Sequence, residues 1–295
     1  MNISVAESEL PRESESLWGK AWYKFSRDRM GMASLVIVGL FMLIAIGVWL
    51  GFWGQGWSDN TGPMWAKPGA EHWLGTNIIG QDIYERAIYS TKTAFEVGLV
   101  VAVLSTIVGA IFGALEGYFK NTWVDEVIKW LKGVLDSIPF FLFVAAIAFA
   151  LQGYAYSMHI AMIATFWTTT GRLVRGEVIK LKNFEFVEAS RAIGLPQSKI
   201  IFRHILPNTF HILLVQATIV FVGALKSEVI LSFLGLGVVD GVSWGLMIAE
   251  STQEVQAGHF SNFLTASAFL FVLVMAFNMF SDALQDALDP RKVSA

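Results

Sequence analysis

No cysteine occurs in the chain, which excludes disulfides and thiolate metal sites and leaves the redox compartment undetermined by that route. Charge is scarce as well. Asp, Glu, Lys and Arg make up 15% of the residues, against about 25% in an ordinary soluble domain. The net charge of -3 gives no argument for nucleic acid, and no such partner is expected. No glycine-rich loop ends in Gly-Lys-Ser or Gly-Lys-Thr, so the usual cradle for nucleotide phosphates is missing. The histidines, His72, His159, His204, His211 and His259, are scattered without the spacing of a zinc site. His204 and His211 are separated by Pro207, which works against a shared helical face. A bound metal is not expected, and no serine, histidine and carboxylate arrangement can be assigned, so no residue is read as catalytic. Residues 1–15 are polar and acidic and lack the short apolar core of a removable signal peptide, so the first apolar run is expected to stay.

What the chain has in abundance is apolar surface. Of 295 residues 55% are hydrophobic and 14% aromatic, with a mean hydropathy of +0.55. An all-α integral membrane protein follows. About 20 apolar helical residues cross a bilayer core, and residues 30–53, 95–119, 210–234 and 263–280 meet that requirement. Two shorter runs, 138–151 and 158–170, lie between the second and third of these. The first of the two can lengthen backward through Trp130, Leu131, Val134 and Leu135, and the second can run on to Leu173. Counting both as spans gives six transmembrane helices; a re-entrant hairpin is the alternative and leaves the sidedness of the rest unchanged. The chain then divides into a cytoplasmic N-terminal tail, 1–29, and a membrane domain, 30–295, with an external loop at 54–92 and a long cytoplasmic loop at 172–209.

Positively charged flanks remain on the cytoplasmic side. Arg12, Lys20, Lys24, Arg27 and Arg29 precede the first span; Lys120, Lys129 and Lys132 follow the second. Arg172, Arg175, Lys180, Lys182, Arg191, Lys199 and Arg203 follow the fourth, and Arg291 and Lys292 close the chain. The opposite side offers only Lys67, Arg86 and Lys92. Both termini are therefore expected in the cytoplasm. Trp18, Trp22 and Phe25 share a helical face flanked by Lys20, Lys24 and Arg27, the pattern of a helix lying in the interface or of an ordinary juxtamembrane anchor. Trp49, Phe52, Trp53, Trp57, Trp65 and Trp73 read as interfacial anchors on the other side.

The loop at 172–209 is too patterned for a linker. Val187, Arg191 and Gly194 fall along one stripe, while Ala189, Ser190 and Ala192 keep the surface low enough for another backbone to approach. Gly194 fits the left-handed residue that ends a helix, and Pro196 fits both the stop and the first turn of the next. That next helix carries Ile200, Ile201, Ile205 and Leu206 and is expected to break at Pro207, which lacks a backbone donor. Ionisable groups inside spans are the other pointers, because each costs roughly 2.5–3.5 kcal/mol at the bilayer centre. Lys226 and Glu228 sit late in the fifth span and project from different sides. Glu228 either lines a solute route or bonds a neighbouring helix, with Lys226 reaching the external interface; simple hydration of both at the membrane edge is the alternative. Glu96 and Glu116 read as interfacial.

Glu188-Ala189-Ser190, then Gly194, then Leu206-Pro207 resembles the EAA motif of ABC importer permeases. The likeness extends to His72-Trp73-Leu74-Gly75-Thr76-Asn77 with Gly80-Gln81-Asp82, typical of permeases for dipeptides and oligopeptides. Arg172-Leu173-Val174-Arg175-Gly176, Arg203-His204-Ile205-Leu206-Pro207-Asn208, Leu231-Ser232-Phe233-Leu234-Gly235-Leu236-Gly237, Ser243-Trp244-Gly245 and Asp286-Ala287-Leu288-Asp289-Pro290-Arg291 are similar to the same family in the same order. Ser190 stands in place of the second alanine, and Gln81 where an arginine is frequent. The resemblance implies the type I importer permease fold and the C-type subunit. It also implies that this chain lies in the inner membrane and has as partners a second, homologous permease, two ATPase subunits that use ATP and Mg²⁺, and an extracytoplasmic solute-binding protein. This chain would then carry no cofactor of its own. By the same resemblance Glu188, Ala189, Ser190, Arg191, Gly194, Leu206 and Pro207 dock the ATPase subunit, with Glu188 making a polar contact and Gly194 allowing the turn. The alternative from another class is an ion-coupled secondary transporter, although such carriers tend to show internal repeats and none is evident.

Overall fold

The computed structural model describes residues 17–288, so Arg12, Arg291, Lys292 and the end of the terminal Asp-Pro-Arg block lie outside the described residues. Among the described residues the regular structure is helical, with only two isolated bridges, Asn60 with Gln81 and Thr76 with Asp82. The helices are α1 (Leu17–Arg27), α2 (Arg29–Trp49), α3 (Ile83–Tyr118), α4 (Trp123–Asp136), α5 (Phe140–Ala150) and α6 (Ser157–Leu181). They continue with α7 (Glu185–Ala192), α8 (Gln197–Lys199), α9 (Phe210–Phe233), α10 (Trp244–Gln256) and α11 (Ser261–Leu288).

Four helices are long and apolar enough to cross a bilayer: Arg29–Trp49, Ile83–Tyr118, Gln197–Phe233 and Ser261–Leu288. They correspond to the four long apolar runs. Their mutual core is aromatic. Phe221 of α9 stacks on Phe277 of α11 at 3.9 Å, and Phe95 of α3 lies 5.6 Å from Phe221 and 6.1 Å from Phe277. Many of the side chains that remain exposed on these helices are large and apolar, among them Leu40, Leu43, Leu104, Ile107 and Phe271, as a lipid-facing surface requires.

Several boundaries differ from the sequence expectation, each for a local reason. Helix α3 begins at Ile83, twelve residues ahead of the apolar run, because Asp82 accepts hydrogen bonds from the Tyr84 and Glu85 amides and caps it. Residues 83–92 of the expected external loop are thus helical. Helix α6 runs to Leu181, so Arg172, Arg175 and Lys180 stand on a helix rather than in a loop. Pro207 does not break the chain ahead of α9. A π-helical segment, Ile200–Ile205, and a 3-10 turn, Leu206–Thr209, carry the backbone past it into α9. The Leu206 amide reaches back to the Ile201 carbonyl, and this wider turn leaves room for the proline ring.

The run expected as a span at 138–151 is divided. Helix α5 has 11 residues, ~16 Å of rise, about half of a 30 Å hydrocarbon core. Helix α4 precedes it at an angle of 91°. The break is at Ser137-Ile138-Pro139, where proline supplies no donor and holds the preceding residue away from helix. Only as a broken pair do α4 and α5 make a fifth crossing.

Helix α6 has the length to cross but is more polar, with His159, Thr165, Thr168, Thr169, Thr170 and Arg172. It lies against α3 through a ladder of glycines. A methyl at Gly109 would fall 2.6 Å from Thr170 Cβ, one at Gly113 2.9 Å from Val174 Cβ, and one at Gly117 2.9 Å from Val178 Cβ. No side chain fits there, so the two backbones touch. The steps advance together along both helices, so α3 and α6 run parallel, and the same register places Ser157 level with Glu96.

At the N-terminus α1 packs on α11 through Phe25, which meets Phe280 edge-on at 5.7 Å and is buried with Ala283 and Ala287. Trp18 and Trp22, read onto the same face as Phe25, stay exposed.

Candidate functional site

Helix α7 stands at one end of the bundle on a buried pedestal. Val187 is its anchor, fully buried among Val178 and Leu181 of α6 and Ile200, Ile201 and Ile205 of the π-helical segment. With Val187 turned inward, helical phase leaves Glu188 and Ala189 exposed, and Arg191, one turn beyond Val187 on the stripe read from the sequence, is exposed as well where the helix ends. Ser190 is buried, and its hydroxyl donates to the Phe186 carbonyl at 2.7 Å, so of the three small residues Ala189 and Ala192 are exposed. Phe184, Phe186 and Ile193 add exposed apolar surface around it, Ile193 at 75% exposure.

Gly194 closes α7 with φ 78°, a backbone conformation that costs any other residue energy. The Leu195 amide donates to Ser190 O at 3.2 Å and the Gly194 amide to Arg191 O at 2.9 Å, which satisfies the last carbonyls. Pro196 then starts α8. Leu206 and Pro207 lie on the 3-10 turn leading into α9, Leu206 half-buried and Pro207 exposed. The Arg191 guanidinium lies 5.4 Å from the Tyr118 ring centre. Burial, with the charges of Lys120 and Arg191, pushes the nearby Lys182 ammonium below the usual lysine range, Asp125 opposing.

Behind the pedestal is a charge network that the sequence reading missed. Glu116 is 1% exposed and is bridged by Lys132 Nζ at 2.5 Å and Arg175 Nε at 3.2 Å. Asp125, fully buried, receives Arg175 at 3.2 Å, Lys129 at 2.9 Å and the Asn121 amide at 2.8 Å. These groups tie α3, α4 and α6 together next to α7. In the sequence Glu116 read as interfacial and the three cations only as sidedness markers, because Lys132 and Arg175 are 16 and 59 positions from Glu116; only Asp125 with Lys129, spaced i,i+4, carried a local signal.

On the opposite end the His72 to Asp82 segment folds into a closed turn. His72 Nδ1 and Asp82 Oδ2 are 2.8 Å apart, and the Asn77 side-chain oxygen accepts the Ile79 and Gln81 amides. Arg86, buried, pairs with Glu250 at 2.5 Å and donates to the Gln81 side chain, while Glu254 accepts the Ile78 amide at 2.8 Å. Burial pushes the Glu250 carboxyl above the usual range, with Arg86 pulling it back.

Glu228 and Lys226 separate as the helical phase requires. Glu228 is buried and accepts from Ser232 at 2.6 Å and Ser243 at 2.5 Å. Ser243 caps α10 in turn by accepting the Leu246 amide, so Glu228 bonds a neighbouring helix. Trp244 completes the joint, its indole donating to Ala87 O at 3.0 Å. Lys226 lies on the exposed side.

Several membrane-length helices with lipid-facing exteriors define a multi-pass membrane protein. The model for the binding-protein-dependent transport system inner membrane component matches residues 105–294. The model for the N-terminal transmembrane domain of oligopeptide transport permease C matches residues 16–58. The dipeptide transport system permease protein DppC of Bacillus subtilis (strain 168) is 32% identical over 285 residues, 95% of this chain and 88% of its own. The oligopeptide transport system permease protein OppC of the same organism is 32% identical over 291 residues, 98% and 94%. The glutathione transport system permease protein GsiD of Pectobacterium atrosepticum is 31% identical over 284 residues, 93% and 91%. The chain belongs to the family of binding-protein-dependent transport system inner membrane components.

Proposed function

We propose that this chain is the membrane-spanning permease subunit of an ATP-driven importer for dipeptides or oligopeptides, and that it builds the translocation path with a second, homologous permease. The observation that carries this reading is α7, an exposed helix with a glycine-closed end, held rigidly on a buried pedestal in a member of this family. In this account two ATPase subunits bind ATP and Mg²⁺, and an extracytoplasmic binding protein delivers solute. The chain is not itself an enzyme.

Six spans complete the topology, with the broken α4–α5 pair as the third and α6 as the fourth. The parallel register of α3 and α6 supports this count, since the chain between two parallel spans must recross the bilayer. Both termini and α7 then face the cytoplasm, and α1 lies in the interface with Trp18 and Trp22 toward lipid. Closure of the ATPase subunits moves α7, and the Glu116 network passes that motion to α3, α4 and α6 as one body. Glu188 and Arg191 supply polar contacts at the docking surface, Ala189 permits close approach, Ser190 braces α7 from within, and Leu206 and Pro207 join the lever to α9. Glu228 fastens α10 to α9 beside the path, and Lys226 reaches the external interface.

The test is uptake by vesicles containing the full complex with its binding protein. Peptide accumulation is expected to require ATP inside the compartment that holds the ATPase subunits and to be insensitive to collapsing ion gradients. Gradient-driven accumulation by this chain alone would overturn the reading in favour of a secondary carrier.

A further inference from the structure

Resting on the peptide-importer reading, we infer that the break between α4 and α5 holds a solute subsite in which Asp136 and Arg172 receive the charged ends of a peptide. A cavity of about 450 Å³ opens there, within the range of small-ligand sites. Its walls include Phe140, Phe143 and Phe166 with Thr165, Thr168 and Thr169, and Asp136 and Arg172 also line it. This is an apolar pocket with a few convergent polar groups, the composition that fixes the orientation of a small ligand.

Its depth is given by packing. Phe140, the first residue of α5, meets Phe166 of α6 edge-on at 5.0 Å. In the register of α6 on α3, Phe166 is level with Ser105 and Arg172 with Ile111, both inside the apolar run of α3. An ionic pair at that depth is costly to maintain and marks function more often than support. The Glu116 and Asp125 pairs nearby are shut away, whereas this one is reachable. Asp136 is 35% and Arg172 54% exposed, and their contacts are 2.7 Å and 3.3 Å. Thr168 Oγ1 stands 3.5 Å from Asp136 Oδ1.

Exchange of partners explains why such a pair would sit there. Without solute, Asp136 and Arg172 neutralise one another. A peptide with free ends gives its carboxylate to Arg172 and its ammonium to Asp136, so one pair becomes two and no charge is left alone. A peptide blocked at either end opens the internal pair and strands one member, which is unfavourable in a low-dielectric site.

The experiment uses the whole complex with its binding protein, with trialanine, its C-terminal amide and its N-acetyl derivative as probes. The readout is the ratio of free to blocked peptide uptake, each variant against wild type, so that the binding protein's own preference cancels. Asp136→Asn with Arg172→Gln is expected to reduce that ratio by about tenfold, the worth of one charge-assisted hydrogen bond. An unaltered ratio with uptake intact would show that the pair only holds α4 to α6 and would overturn the inference.

A second variant covers loss of folding. Thr169 is exposed on the cavity wall and the chain has no cysteine, so Thr169→Cys gives this subunit one thiol. Trialanine during turnover is expected to slow its modification by a methanethiosulfonate reagent, and its C-terminal amide and N-acetyl derivative to have little effect. Equal modification with and without trialanine, in complexes that transport it, would also overturn the subsite. Failure of trialanine to stimulate ATP hydrolysis in the wild-type complex would count against the peptide reading itself, and the subsite would fall with it.

Discussion

Gly194→Val is expected to abolish most peptide uptake while ATP hydrolysis without solute continues and the chain still inserts. The cause is confined to the backbone. Apart from its own chain neighbours, no atom lies within 4 Å of where a Cβ would stand, so a side chain meets open space, but φ is 78°. A left-handed conformation costs roughly 1–2 kcal/mol for a residue with a Cβ, and each 1.4 kcal/mol changes the population of the correctly closed turn by about tenfold. Relief of that strain reorients α7 relative to α8 and uncouples it from the π-helical segment. Gly194→Asn, which tolerates this region, should keep most of the uptake. Measured side by side, uptake and solute-stimulated hydrolysis decide the matter: normal values for both in the valine variant would rule out the role given to this turn.

Glu116→Ala is expected to produce the largest loss of stability. The change leaves Lys132, 5% exposed, without its partner and takes one of two carboxylates from Arg175. Removing one member of a buried ion pair costs about 3–5 kcal/mol, because the other charge stays desolvated. Thermal unfolding of the purified protein in detergent should shift clearly downward, and the amount in the membrane should fall several-fold. Glu116→Leu combined with Lys132→Met should recover most of the stability, since apolar groups of similar size replace a buried pair at little cost. A single variant as stable as the wild type would remove the network from the account.

Much of this architecture was legible in the residues. The four long apolar runs correspond to α2, α3, α9 and α11, and the turn at Gly194 followed from a glycine placed two residues before Pro196. What escaped notice depends on contacts across the fold. The phase of α7 is set by Val187 seating among Ile200, Ile201 and Ile205, so the inward turn of Ser190 could not be read from its neighbours. The continuation past Pro207 required a π-helical segment, a device with no local signature. Asp82 as a cap was visible in principle, since Asp followed three residues later by Glu85 is a helix-start signal. Glu116 with Lys132 and Arg175 join only once α3, α4 and α6 have packed. Arg86, read as a mere external charge, acquires Glu250 as its partner from a helix 164 positions away.

The most direct measurement is crosslinking from Ala189→Cys, in a chain that has no other thiol. Ala189 is exposed on α7 beside the buried Val187. With a short thiol-to-amine reagent in native membranes, the account predicts an adduct with an ATP-hydrolysing subunit, its yield changing when nucleotide is added. Adducts with lipid or with this chain alone, and none with an ATPase, would contradict it.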